Sequence, residues 1–304
     1  MKKLFVGVVA LSMVLLLGAG LAFASDKYIV ASDIPWAPFE MVTADGQFFG
    51  FDLDVVRCLA VVEGFNLDDV VIKNTAFDTI IDTVKSGKAD IGASGFTITA
   101  DRAKSVDFSQ PYYLSNQAVV IRKDSGLNIV SALAGQGPTK KIGAQNGTTG
   151  FDWADNNGIG ITVNGYEYYP TAILDLVNKR IDAVIQDEPA SQSSLAAYPD
   201  LLTIAGIINT NEYFGFLVAK GDPKGLLPMM NDGMAKLGLS VLPTAGGMQK
   251  LVVTPGSVWD NLLKGYFGPT NDKIEAAWLA SKDLLLVDQD VEAFAAKFAE
   301  EATK

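Results

Sequence analysis

The chain has no histidine among its 304 residues and a single cysteine, Cys58. Without histidine, the Ser-His and Cys-His nucleophile pairs, the usual zinc sites and the commonest general base are excluded. One cysteine cannot close an internal disulfide. Cys58 lies in the apolar stretch VVRCLAVVEG, where a buried, inert thiol is expected. Basic residues are also scarce: 24 Lys and Arg stand against 35 Asp and Glu, a net charge of −11. That balance argues against nucleic-acid phosphates or an anionic lipid face as partner. The motif Gly-x-x-x-x-Gly-Lys-Thr is missing, so binding of nucleoside triphosphates has no support. Nothing in the sequence points to a metal or an organic cofactor.

A long apolar run occurs once. Residues 1–24 read MKKLFVGVVALSMVLLLGAGLAFA, with two lysines, an apolar run and the small-x-small step Ala22-Phe23-Ala24. This is the pattern of a secretory signal peptide cleaved after Ala24. A membrane anchor is the competing reading, since 4–23 is about long enough to span a bilayer. The cleavage step and the lack of a second such run favour removal, leaving an exported periplasmic protein. Loss of Lys2 and Lys3 makes its net charge −13. No cysteine directly follows the run, so a lipid anchor at this site is not expected.

What is present is an alternation of strand and helix patterns. Strands are expected at 28–32, 69–74 and 89–94, and helices at 51–65, 77–88 and 99–105. The first helix carries Leu53, Val56, Leu59 and Ala60 along one stripe; Gly87 supplies a stop for the second. A second cycle places strands at 117–123, 140–145, 181–187, 201–206 and 213–220, and helices at 146–156, 171–180, 188–198 and 225–240. This order predicts an α/β fold of mostly parallel sheets covered by helices. The cycles match in outline, so two lobes are expected, 25–117 plus 214–304 and 118–213, with 117–123 and 213–220 as crossing strands. From 242 to 304 the pattern reads as helical, with Val291, Phe294, Ala295 and Phe298 forming a stripe near the end.

Three stretches could carry chemistry. In GASGFTITADR (92–102), small residues let a ligand approach the backbone. The expected helix, capped by Thr99, would offer free N–H groups and a positive dipole end. Arg102 could fork onto a carboxylate there; an ordinary surface arginine is the bland alternative. QNGTTG (145–150) joins a strand to a helix through glycine and hydroxyls, a second polar cradle or a plain turn. IDAVIQDEP (181–189) puts Asp187 at the carboxyl end of a buried-looking strand, where ligands of open α/β sheets gather. Asp187 could accept an ammonium group, or cap the helix that follows with proline in its first turn. In SDIPWAPFE (32–40), Asp33, Trp36 and Glu40 surround two prolines. Trp36, and Phe77 at the start of a helix, could wall a ligand.

In this order, GFDLDV (50–55), SGKADI (86–91), GFTITADRAKSVDFSQPYY (95–113), GTTG (147–150) and DAVIQDEP (182–189) resemble the polar amino-acid-binding proteins of ABC importers, bacterial solute-binding protein family 3. The resemblance spans about 28–220. It implies a two-lobed, type II periplasmic-binding-protein-like fold with two crossing strands, which closes around one amino acid and docks on a membrane permease. It further implies that Arg102 grips the ligand α-carboxylate, with Ser94, Gly95 and Thr97 in the matching segment helping to hold the α-groups. Thr149, with Thr148 beside it, would donate N–H groups to the carboxylate, and Asp187 would take the α-ammonium. Trp36 and Phe77 would wall the side-chain pocket, which Asp33 and Gln145 would read. Asp33 and Glu40 favour a cationic side chain, Gln145 a neutral amide. Members usually end soon after an aromatic-Phe-Gly step like GYFG (265–268); here 36 residues follow it. These extra helices could pad the first lobe or make a dimer contact.

Two other functions fit the same fold. One is a periplasmic dehydratase of cyclohexadienyl or arogenate type, which needs a carboxylic acid in the pocket; Glu40 or Glu188 could serve. The other is a ligand-sensing module that signals through a partner chain.

Overall fold

The computed structural model describes residues 27–134, 140–244 and 248–304; the expected signal segment lies outside them. The first half-lobe contains β1 (Tyr28–Ser32), β2 (Met41–Val42), β3 (Phe48–Phe49), α1 (Phe51–Val62), β4 (Val70–Asn74), α2 (Phe77–Lys85), β5 (Ile91–Gly92) and β6 (Val106–Phe108). The chain then crosses into β7 (Tyr113–Arg122), α3 (Ile129–Leu133), β8 (Lys140–Gln145), α4 (Thr149–Asn157), β9 (Ile161–Tyr166), α5 (Tyr169–Val177), β10 (Ala183–Asp187), α6 (Glu188–Ala197) and β11 (Leu202–Phe214). It returns through β12 (Leu217–Ala219), α7 (Leu226–Lys236), β13 (Leu239–Pro243), β14 (Gln249–Val253), α8 (Val258–Tyr266), α9 (Asn271–Leu286) and α10 (Val291–Ala302).

Two five-stranded sheets result, ordered β4-β1-β5-β12-β6 and β11-β7-β10-β8-β9. In the first, β1 runs parallel to β4 and β5 while β12 is antiparallel to β5 and β6. In the second, β8 runs parallel to β9 and β10 while β7 is antiparallel to β10 and β11. The fully buried run AVIQD of β10 suits a central strand covered on both faces. The crossings lie side by side: Tyr113 pairs with Phe214, and Tyr112 N–H donates to the Phe214 carbonyl. The expected lobe limits at 117/118 and 213/214 thus fall inside β7 and at the end of β11.

Several expected elements change. The helix expected at 99–105 is one 3-10 turn, Arg102–Lys104. Thr99 Oγ1 accepts from Arg102 N–H, as a cap would, but three residues cannot build a helix dipole. The strand expected at 213–220 breaks at Gly215 and Phe216, where the chain changes sheets. The region from 242 onward opens inside the β13–β14 hairpin, with the end of β13 followed by β14, not with helix. Strand β9 was not expected, since ITVNGY alternates weakly and forms a half-exposed edge.

The C-terminal helices pad the first lobe. α8, α9 and α10 pack on one another, and α8 and α10 also pack on α1. Trp278 stacks on Phe49 at 4.8 Å between ring centroids, Trp259 meets Phe51 edge-on at 5.8 Å, and Phe298 lies 4.5 Å from Tyr266. All six rings are essentially inaccessible. The buried Asp54 of α1 accepts from the Tyr266 hydroxyl and pairs with Arg57 at 2.6 Å. Trp278→Ala should therefore destabilise the whole protein by about 3–5 kcal/mol. Urea unfolding followed by tryptophan-independent circular dichroism checks this; a loss below ~1 kcal/mol would mean that the extension is a loose appendage.

Candidate functional site

All eleven residues expected at the site line one tightly closed pocket between the two sheets. Asp33, Trp36, Phe77, Ser94, Gly95, Thr97 and Arg102 come from the first lobe; Gln145, Thr148, Thr149 and Asp187 from the second. They meet because the loops after β1, β5, β8 and β10 all leave the carboxyl ends of strands. Tyr169, at the start of α5, completes the lining and stacks on Trp36 at 6.3 Å.

Arg102 is held by aromatics and carbonyls. Its guanidinium lies 5.6 Å from the Phe77 ring centroid and 5.3 Å from that of Phe96. These two rings stack on each other at 4.4 Å. One guanidinium nitrogen donates to the Thr97 carbonyl and the other to the Gly147 carbonyl of the opposite lobe, each at 2.9 Å. Burial pulls its pKa downward, against the fields of Glu212, Asp152 and Asp187. Among the described residues, no carboxylate lies within 4.0 Å of it.

Asp187 is 6% exposed, and its Oδ1 has no hydrogen-bond partner among the described residues. It makes no side-chain cap on α6, so the capping role is not what places it there. Burial, followed by the nearby Glu212 charge, raises its pKa to about 7. Asp33, 3% exposed, is raised to about 7 by burial, with Gln145 opposing and Glu167 and Asp78 adding. Its Oδ2 accepts from Gln145 Nε2 at 2.5 Å, and its Oδ1 has no partner among the described residues. Gln145 Nε2 also donates to the Glu167 carbonyl at 2.6 Å.

The remaining residues shape the pocket. Gly95 has φ +55°, and a Cβ there would lie 2.3 Å from the Trp36 ring, so only glycine lets the indole lie flat on this turn. Its N–H donates to Asp52 Oδ2 at 2.9 Å, which also takes the Tyr112 hydroxyl at 2.6 Å. Ser94 Oγ accepts from Asp33 N–H at 3.1 Å. Thr148 caps α4, accepting from Phe151 N–H at 3.1 Å. That leaves the N–H groups of Thr149 and Gly150 at the helix start. Glu40 is sealed behind the pocket at 0% exposure, and Glu188 lines a separate groove beside α9; neither reaches the pocket. A carboxylic acid from either is thereby removed from the dehydratase reading.

Residues 28–240 match the family model for bacterial extracellular solute-binding proteins, family 3. The chain belongs to that family. It is 32% identical over 219 residues to the ABC transporter arginine-binding protein 1 of Escherichia coli K12, across 71% of this chain and 87% of that one. It is 31% identical over 217 residues to a probable histidine-binding protein of Neisseria gonorrhoeae, across 69% and 77%. Among solved structures, an ancestral arginine-binding protein bound to arginine superposes with a TM-score of 0.66 at 28% identity, over 80% of this chain and 99% of that one. The two-lobed α/β fold is the type II periplasmic-binding fold, and the chain is a solute-binding protein rather than an enzyme. The three C-terminal helices, α8–α10, lie outside the family match.

Sequence reasoning missed Tyr169, because the preceding edge strand was unrecognised and α5 begins two residues earlier than expected. It also missed Phe96, the second ring under Arg102, and Glu212 of β11. A lone carboxylate in the crossing stretch NEYFGF was the available signal for Glu212.

Proposed function

We propose that this protein closes in the periplasm around one L-amino acid with a cationic side chain and delivers it to an ABC importer. One observation carries the reading. Arg102 and Asp187 face a single pocket from opposite lobes, and neither has an ionic partner among the described residues. A zwitterion would satisfy both. Its α-carboxylate would meet Arg102 and the free N–H groups of α4, and its α-ammonium would meet Asp187. Binding then favours the closed arrangement of the lobes, since only there do both charges reach the ligand.

The side-chain end favours a cation. Asp33 presents an unpartnered buried oxygen, with Glu167 and Asp78 adding negative field. Gln145 spends its amide N–H groups on Asp33 and the Glu167 carbonyl, which weakens the case for reading a neutral amide. Trp36 and Tyr169 supply parallel faces for a flat guanidinium or imidazolium. The arginine- and histidine-binding names of the relatives support the same ligand class. A signal peptide at 1–24 and an inner-membrane permease as partner belong to this reading.

The protein should be unfolded and refolded to strip carried ligand, then melted with each of the twenty amino acids. Ligand at a hundred times its Kd stabilises by about 2.7 kcal/mol. A shift with arginine, lysine or histidine is expected, and silence across the panel would refute the reading. Calorimetry on Arg102→Ala should show binding weakened a hundredfold or more, because the ligand carboxylate would be left unpaired at a cost of about 3–5 kcal/mol. Near wild-type affinity would remove Arg102 from the site.

The pH dependence follows from the two raised carboxyls. Both are largely protonated below about 7 in the empty pocket, and a bound cation requires each to ionise. Affinity for a cationic amino acid should therefore fall as pH drops below about 7, by up to ~10-fold per pH unit for each group. Titrations at several pH values, in buffers of different ionisation enthalpy, should also show proton release. A flat profile from pH 8 to 5 would contradict the assignment of both carboxyls.

A further inference from the structure

Glu212 stands on the crossing strand β11, behind the pocket wall. Its Oε2 accepts from Thr97 Oγ1 at 2.7 Å and from Thr149 Oγ1 at 2.5 Å. Its Oε1 accepts from Gln117 Nε2 of the other crossing strand at 3.3 Å. Thr97 belongs to the first lobe and Thr149 to the second, and their hydroxyl oxygens are 3.3 Å apart. Glu212 does not line the pocket, whereas both threonines do; it reaches them from a groove on their far side.

A threonine hydroxyl has one proton and two lone pairs, and a carboxylate only accepts. Glu212 therefore takes the proton of both hydroxyls. The two oxygens are left as acceptors toward the pocket, and the longer contact between them is no hydrogen bond. Neither hydroxyl can donate to a ligand carboxylate in this state.

We infer that Glu212 is a specificity-determining positioning residue: by holding both hydroxyl protons, it makes Thr97 and Thr149 acceptors for the ligand's α-ammonium beside Asp187. The inference deepens the proposed function and rests on it. Three acceptors then face three N–H donors, and the ligand carboxylate is left to Arg102 and the backbone of α4. The site becomes selective for a protonated primary amine. An α-hydroxy acid of the same side chain offers one proton, so it leaves acceptors unmet and a buried Asp187 without its cation.

The test compares L-arginine, L-lysine and their α-hydroxy acid analogues by calorimetry on wild type, Glu212→Ala and Glu212→Asp. In wild type the hydroxy acids should bind about a thousandfold more weakly than the amino acids, the scale expected when buried hydrogen-bonding groups lose their partners. In Glu212→Ala the hydroxyls can rotate and donate, so that ratio should shrink about tenfold, the remaining discrimination being kept by Asp187. Glu212→Asp should restore part of the lost discrimination. An unchanged ratio in Glu212→Ala, with both ligands weakened alike, would mean that Glu212 only supports the fold, and would overturn the inference while leaving the binding reading intact. Absence of amino-acid binding by the wild type would overturn both.

Discussion

Two opposite charges kept apart organise this molecule. Arg102 and Asp187 sit in one pocket without ionic partners among the described residues, the aspartate buried and the arginine partly so. Burying an unpaired charge is costly, so such an arrangement persists only where the surrounding structure holds it. The stacked Phe77 and Phe96 rings hold the arginine, and the fully buried strand β10 holds the aspartate. The lobes approach one another through the bond between Gln145 and Asp33 and through the guanidinium of Arg102, which donates to the Gly147 carbonyl.

The rigid side of that arrangement is built far from the pocket. The aromatic layer of α8–α10 presses on α1, whose buried Asp52 receives the N–H of Gly95 and the hydroxyl of Tyr112. Glu40 lies against Asp52, and burial together with that neighbouring charge keeps its pKa well above the carboxylate range. Burial thus disfavours a second negative charge beside Asp52 behind the Gly95 turn. Gly95 in turn lies flat under Trp36. Packing of the extension is thus joined to the shape of the pocket wall through α1. The crossing strands add a second support, because Glu212 and Gln117 sit where β7 and β11 run side by side.

Much of the site was legible because its residues occupy positions with a stated chemical reason. Glycine before an arginine, hydroxyls before a helix and a carboxylate ending an apolar strand are local patterns, and the fold brings them together as strand ends. The turn at Arg102 was misread as helix because Thr99 does cap it; what stops the helix is the return of the chain into β6, a tertiary demand. The hairpin β13–β14 was hidden among helical patterns, since its strands are short and half exposed. Asp52 and Asp54 lie off the apolar stripe of α1 yet are fully buried, because Tyr112, Tyr266 and Arg57 reach them from elements distant in sequence or from the next turn. Glu212 was passed over for a related reason: its partners come from both lobes.

The most direct test of this account is the melting temperature of Asp187→Asn, measured beside wild type at pH 8 with and without ligand. Burial raises the folded-state pKa of Asp187, so ionisation at pH 8 costs stability that the unfolded chain does not lose. Removing the charge should raise the melting temperature of the ligand-free protein by a few degrees and abolish the ligand-induced shift. A ligand-free variant that melts below wild type, or that still shifts with ligand, would show that Asp187 is paired within the protein and is not held in reserve for an ammonium group.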